Sequence, residues 1–317
     1  TDFVGTDGTL GDRNPTADEL ADTIEGQWTG DDTNRYVVLT GGEPLLHRDW
    51  PRLVTGLREE DVSYSFVSNG WHMTRFVPVL DVHPPEHVRL SLSGADAAVH
   101  DGERGRDSFR RVLLATAVLT SRRIPVSYSV IVDTRTRHQL EDAFSLGAQM
   151  GCAAVRFILP QPVPASVERS TDLPPADWWS VRRELEALAF AQAASATRVV
   201  LEYGAPFDGP ESLCETKALE RLYVDVHGRL SLCCQLSEYG ATDTDVVADL
   251  NCLDVDTAFD RYLEQLDVLK RDTEPRGAED PLSAFPCLRC ARAIGKLGWL
   301  RNFPNSPWAP ASNGGQP

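Results

Sequence analysis

Five short apolar runs begin near residues 36, 63, 88, 126 and 154, and the segments between them carry apolar residues at helical spacing. Alternation of the two periods leaves few folds open. A strand parallel to its predecessor needs a crossover of a dozen or more residues, and a helix supplies it. The pattern therefore predicts βαβ units and an α/β fold built on a parallel sheet or barrel. Ser108–Thr120 shows the helical stripe in Phe109, Val112, Leu113 and Thr116, and Trp178–Ala193 reads as a long helix. Thr16-Ala17-Asp18-Glu19 forms a capping box ahead of Leu20, Ala21, Ile24 and Trp28. The series thus opens on a helix with no strand before it. A first strand is expected upstream of Thr1, which is itself not a methionine.

After about residue 197 the alternation stops. Arg198–Tyr203 is strand-like, and Leu222–Asp225 and Leu230–Cys234 flank His227-Gly228 as a hairpin. Thr257–Leu269 reads as a helix. The expected division is a barrel domain over 1–197, a small cysteine-rich α+β domain over 198–301, and a disordered tail over 302–317 rich in Pro, Asn and Gly. The net charge of -16 offers no basic excess to neutralise phosphates, so no nucleic-acid partner is expected. No run is long enough to span a membrane, and nothing near the start looks like a signal peptide. A cytoplasmic protein without a membrane partner is expected.

The strand ends carry the candidate chemistry. In parallel α/β folds, ligands sit beyond the carboxyl ends of the strands. Here those ends read Gly41-Gly42-Glu43-Pro44, Ser68-Asn69-Gly70 and Ser91-Leu92-Ser93-Gly94, with Ser127 to Ser129 inside the next strand. Glycines let backbone approach a ligand, Glu43 is an acceptor for an ammonium or hydroxyl, and Pro44 stiffens the exit. His100-Asp101, Arg104-Gly105 and Ser108-Phe109 follow. Taken together, these motifs over residues 16–160 resemble the radical S-adenosylmethionine (radical SAM) enzymes.

That resemblance implies a partial (β/α)6 barrel, here without its first strand, whose [4Fe–4S] cluster binds SAM. It gives the methionyl amino group to Gly41, Gly42, Glu43 and Pro44. Ser68, Asn69, Ser91, Ser93 and Ser129 line the SAM pocket, and Arg104 pairs with the carboxylate. His100 is read as supporting the turn after its strand. The family's cluster is held by a C-x3-C-x2-C triad after the first strand. This chain has no cysteine before Cys152. The triad is expected upstream of Thr1; the alternative is a degenerate, non-catalytic homologue that binds a peptide or partner around a structural metal.

Six of the seven cysteines fall after residue 213. With no secretory signal, such clustering reads as metal binding before disulfides. Cys287-Leu288-Arg289-Cys290 is a C-x2-C pair whose turn presents two sulfurs to one metal. With Cys214 and Cys233 it makes a four-thiolate set suited to Zn²⁺ or an Fe–S cluster. The spacing resembles the twitch, or shortened SPASM, domain that follows radical SAM barrels. On that resemblance Cys214, Cys233, Cys287 and Cys290 hold one auxiliary [4Fe–4S] cluster, with Cys234 as the alternate to Cys233. Cys252 is a candidate hydrogen-atom donor, as in radical epimerases of the superfamily, and Cys152 is a core residue.

The function implied is hydrogen abstraction by a 5′-deoxyadenosyl radical from a peptide or small natural product, leading to epimerisation, dehydrogenation or crosslinking. The partners implied are that substrate and a reductase or flavodoxin-type electron donor.

Overall fold

The computed structural model describes residues 36–160, 162–202, 206, 214, 216–219, 221–237, 242–273 and 284–309. The helix expected at 16–28 lies outside them. The described residues fall into two units. One runs to Ile158 and resumes over Leu185–Leu201. The other holds Leu159–Glu184 and the residues from Glu202 onward.

In the first unit the elements alternate as the two periods predict: β1 (Tyr36–Leu39), α1 (Trp50–Glu59), β2 (Ser63–Ser68), α2 (Val77–Val82), β3 (His87–Leu92), α3 (Ala97–Arg104), α4 (Ser108–Ser121), β4 (Val126–Ile131), α5 (Leu140–Gln149) and β5 (Ala154–Ile158). The helices α6 (Pro164–Glu168) and α7 (Pro175–Ala191) then precede β6 (Arg198–Leu201). The six strands form one sheet in the order β1-β2-β3-β4-β5-β6, with every neighbouring pair parallel. This is the expected α/β architecture. The sheet extends past residue 197, where the sequence reading placed the domain boundary. Thr197 anchors that extension by donating its hydroxyl to the Cys152 carbonyl at 2.6 Å.

Side chains alternate across a strand, so each strand presents two sets. One set is Tyr64 and Phe66 on β2, Val88, Leu90 and Leu92 on β3, Tyr128 and Val130 on β4, and Val155 and Phe157 on β5, all buried. The helices pack on this face. Trp50 of α1 meets Phe66 edge-on at 5.0 Å, and Thr116 of α4 shares a 2.9 Å hydrogen bond with the Tyr128 hydroxyl. The buried stripe of α4 is Val112, Ala115, Thr116 and Leu119. Each such apolar side chain contributes about 1.5–3 kcal/mol of transfer free energy. The other set mixes polar residues, Ser63 and Ser65, His87, Arg89 and Ser91, Ser127 and Ser129, Arg156 and Arg198, with Val67, Ile131, Ala154, Ile158 and Val200.

The second unit continues with β7 (Tyr223–Val224), β8 (Arg229–Ser231), α8 (Cys234–Ser237), β9 (Val246–Asp249), α9 (Val255–Asp272) and α10 (Pro286–Ala293). The expected hairpin is β7 and β8, turning at His227-Gly228, and β9 adds antiparallel to β8. Leu230, Leu232, Ala258, Tyr262, Leu266 and Leu288 are buried in this unit. Lys296 and Asp245 form a buried ion pair, in which removal of either partner would strand a buried charge.

Two expectations change here. Cys287 and Cys290 lie on a helix, not in a turn, because Pro286 starts α10 at a first-turn position where its missing N–H is harmless. The stretch from 302, read as disordered, is packed as far as its described residues go: Trp308 is 1% exposed and meets Phe285 edge-on at 5.2 Å. A large aromatic side chain outweighs the Pro and Gly around it. Trp308→Ala is therefore expected to cost about 3–5 kcal/mol in denaturant unfolding. A free tail would give no change.

Candidate functional site

The site begins where β1 stops. Gly41 has φ +94°, a conformation that L side chains rarely adopt, and a Cβ there would meet nothing of the described residues within 4 Å. The turn is therefore open at the point where backbone could approach a ligand. Glu43 follows in extended conformation and caps the short 3₁₀ turn Pro44–Leu46, accepting from the Leu45 N–H at 3.2 Å. The same carboxylate reaches the end of β2. Oε1 accepts the Ser68 hydroxyl at 2.8 Å, and Oε2 accepts the Asn69 N–H at 2.7 Å. Glu43 thus braces the ends of two strands.

The end of β3 is braced by α3. Asp96 caps that helix, accepting from the Val99 N–H at 3.0 Å. The Ser93 N–H donates to His100 Nδ1 at 3.1 Å, and Arg104 Nε donates to Ser93 Oγ at 2.6 Å. The chain packs tightly here, since a Cβ on Gly94 would sit 2.6 Å from Val99 Cβ and 2.8 Å from His100 N. Burial lowers the Arg104 pKa, while the charges of Glu103 and Glu43 oppose that shift. Arg104 and Glu43 are therefore within electrostatic reach. Ser91 and Ser129 are register partners on β3 and β4, both half-buried on the polar face.

The structure thus brings Glu43, Ser68 and Asn69 together, joins Ser93 to Arg104, and pairs Ser91 with Ser129. Three roles were not foreseen. The His100 ring is the acceptor that fixes Ser93, a finer role than general support of a turn. Asp101 accepts from the N–H groups of Asp107 and Phe109 and from the Ser108 hydroxyl, at 2.9, 2.7 and 3.0 Å, and so caps α4. The third is the cationic set on the polar face, Arg89, Arg156 and Arg198 around His87. Strict alternation in "HVRLSL" was the signal that would have found it.

The other candidates are in the second unit. Cys233 lies within electrostatic range of Cys214 and of Cys290. A hydrogen bond from Cys234, and another from Thr216, hold the Cys233 thiol below its usual range. Burial pushes Cys290 up to about 11. Cys287 is one helical turn from Cys290 on α10 and is half-buried. Among the described residues no group of three or more His, Cys, Asp or Glu side chains is closed into a metal site. Cys252 is exposed and its Sγ donates to Asp249 at 3.7 Å. Cys152 is core, its thiol pushed up to about 12 by burial.

Residues 6–147 match the sequence model of the radical SAM superfamily. These residues are a radical SAM domain. The matching stretch holds the GGEP turn, β1 to β4 and their helices. Among curated relatives, 7-carboxy-7-deazaguanine synthase of Bradyrhizobium diazoefficiens is 57% identical over 70 residues, covering 22% of this chain and 33% of that protein. The mycofactocin maturase MftC of Mycolicibacterium smegmatis is 31% identical over 142 residues, 44% of this chain and 36% of its own. The alignments thus span about a third of each relative's length. Among solved structures, Streptococcus suis SuiB bound to S-adenosylmethionine matches with a TM-score of 0.65 at 12% identity, over 84% of this chain and 64% of that one. SuiB has also been crystallised with its precursor peptide SuiA. At that identity the likeness shows the fold: a radical SAM partial barrel followed by a smaller region.

The radical SAM domain carries a pH-sensitive element. Burial, reinforced by Arg104 and opposed by Asp101, lowers the His100 pKa from 6.5 to about 4. A base depressed in the folded state gives stability that is complete above pH 6.5 and is lost as pH falls toward 4. The stability difference between wild type and His100→Asn, which keeps an acceptor near Nδ1, is expected to shrink over that window. Thermal unfolding at pH 7.5, 5.5 and 4.5 measures it. A constant difference would show that His100 titrates in the fold as it does in the unfolded chain.

Proposed function

We propose that this protein is a radical SAM enzyme acting on a peptide or related natural product, with SAM held at the carboxyl ends of β1 to β4. The observation that carries the reading is Glu43, braced by Ser68 and Asn69 and within reach of Arg104 on Ser93. An anion held by neutral donors, beside a glycine turn and a half-buried guanidinium, fits the ammonium and carboxylate of one α-amino acid head group. Glu43 would accept from the methionyl ammonium, and Arg104 would donate to the carboxylate. Ser91 and Ser129 would present hydroxyls along the rest of the cofactor. When bound and reductively cleaved, SAM supplies a 5′-deoxyadenosyl radical that removes a hydrogen atom from substrate.

The thiolates for the SAM-binding cluster are not among this chain's residues, whose first cysteine is Cys152. No step is assigned to them. Cys214, Cys233, Cys287 and Cys290 are proposed to hold an auxiliary [4Fe–4S] cluster, with Cys234 as the alternate. Three of the four lie within electrostatic reach of each other, and thiolates suit the cluster's iron. Cys252 would return a hydrogen atom to the substrate radical if the outcome is epimerisation. A peptide substrate is favoured by the fold shared with SuiB, and an external electron donor is proposed with it.

The test is anaerobic reconstitution of the full-length protein with iron and sulfide, then incubation with SAM and dithionite. 5′-Deoxyadenosine should form, with about eight irons per chain if both clusters assemble. Glu43→Ala should weaken SAM binding by about tenfold or more, the loss of charge-assisted hydrogen bonds. Cys287→Ala should remove about four irons and leave SAM binding intact. Iron-loaded protein that binds SAM but forms no 5′-deoxyadenosine would favour the non-catalytic reading. Zinc in place of iron would sink the auxiliary-cluster assignment.

A further inference from the structure

Helix α3 carries two residues that shape the site, His100 and Arg104, yet little of it is anchored by apolar packing. It is eight residues long, contains Gly102 and buries only His100. Helices this short are marginal on their own, and an interior glycine weakens them further. Its position must come from ties made outside the helix. The connection from β4 to α5, residues 132–139, supplies one at each end.

At the start of α3, Gln139 is buried and uses both sides of its amide. Its Oε1 accepts the Ala95 N–H at 3.0 Å, and its Nε2 donates at 2.6 Å to Oδ2 of Asp96, the capping residue of α3. At the last turn, Arg135 Nη1 donates to Glu103 Oε2. The rest of the same guanidinium holds Asp133: Nε donates to Oδ2 at 2.9 Å, and Nη2 donates to the same oxygen. Asp133 is itself buried, and its Oδ1 accepts the N–H groups of Arg135 and Thr136 at 2.8 and 3.1 Å. Thr136 completes the turn by donating its hydroxyl at 2.7 Å to the carbonyl of Ile131, the last residue of β4. At 1.5 Å rise per residue, α3 is fastened at points about 12 Å apart along its axis.

Two contrasts decide what these ties are for. Arg135 carries two carboxylates, so it has no spare charge for a ligand anion. Arg104, the residue after Glu103, makes no ion pair among the described residues; its Nε donates to Ser93 Oγ, and its charge is left for a partner. Half-exposed ion pairs add little to stability, so the use of the Arg135 pair is geometric.

We propose that Arg135 and Gln139 are positioning residues for the methionyl carboxylate of SAM: they hold the two ends of α3, and α3 aims Arg104. The proposal rests on the reading of Arg104 as the carboxylate's partner. Neither residue touches the cofactor; each acts through the helix between them.

The test uses the full-length protein, reconstituted anaerobically, with SAM as the probe. Binding is measured by isothermal titration, and hydrogen exchange over residues 91–104 is measured on the same samples. Arg135→Gln should weaken SAM binding by about five- to tenfold and Glu103→Gln by a similar factor, while Arg135→Lys, which keeps the charge, should weaken it less. Exchange over 91–104 should quicken in Arg135→Gln, since the Ser93 N–H is protected by His100 on α3. The double variant Arg135→Gln/Arg104→Gln should bind no worse than Arg104→Gln alone, because the first change acts only through the second residue. Gln139→Ala tests the other tie, and serves if Arg135→Gln fails to fold. Arg122→Gln, which breaks the pair with Asp81, should change neither readout. Additive losses in the double variant overturn the proposal, as does weaker SAM binding with unchanged exchange, which would make Arg135 a direct ligand contact. Undiminished binding in Arg135→Gln and Gln139→Ala, with a loss in Arg104→Gln, overturns it alone. Wild-type binding in Arg104→Gln overturns the cofactor reading of Arg104 and this proposal with it.

Discussion

Everything in the first unit depends on a sheet whose two faces carry different side chains, the apolar one packed against α1 and α4. Purely parallel sheets are usually buried on both faces, and their strands read as continuous apolar runs. Here β2 to β5 alternate instead. Tyr64, Phe66, Leu90, Tyr128 and Phe157 are buried on the helix side, and Ser65, Arg89, Ser127, Ser129 and Arg156 turn the other way. The packing energy comes from the first set and the chemistry from the second. A register slip of one residue would exchange the two, so register is fixed strongly by the burial of one face.

The brace at the strand ends follows from that arrangement. Strands held in register bring β1 and β2 to a common edge, where one carboxylate can serve both. Glu43 accepts from its own turn, from Ser68 and from Asn69. Its position is settled before any ligand arrives, which lowers the ordering cost of binding. The next strand end uses a different device with the same effect. There the His100 ring and the Arg104 guanidinium fix the backbone and side chain of Ser93.

Much of this was legible because periods 2 and 3.6 are local. β1 to β5 and the helices α1, α2, α4 and α5 could be read to within a few residues, while α3 carried no helix signal that was used. What escaped reading was set by distant contacts. β6 is short and follows a long excursion, so its pairing with β5 leaves no local trace. α10 looked like a knuckle because its C-x2-C pair also fits a turn, although Pro286 carries the helix-start signal. Asp101 seemed part of a family motif, and its role as a cap became visible only with Ser108 and Phe109 in place. The arginines of the polar face are marked by alternation within the strands and not by the strand-end motifs. The grouping of Cys214, Cys233 and Cys290 joins segments far apart in sequence, and only the family resemblance, not a local period, pointed to it.

The place of β6 also bears on how the chain is made. β5 ends at Ile158 and its partner begins only at Arg198, with Leu159–Glu184 assigned to the other unit between them. A ribosome releases those intervening residues over seconds, at roughly 5–20 residues per second. For that interval β5 is an open edge with apolar Val155 and Phe157 beside it. Neither unit is a contiguous piece of polypeptide, so each must wait for segments made later. During synthesis the nascent barrel edge is exposed to other chains, and shielding it falls to chaperones or to the speed of translation.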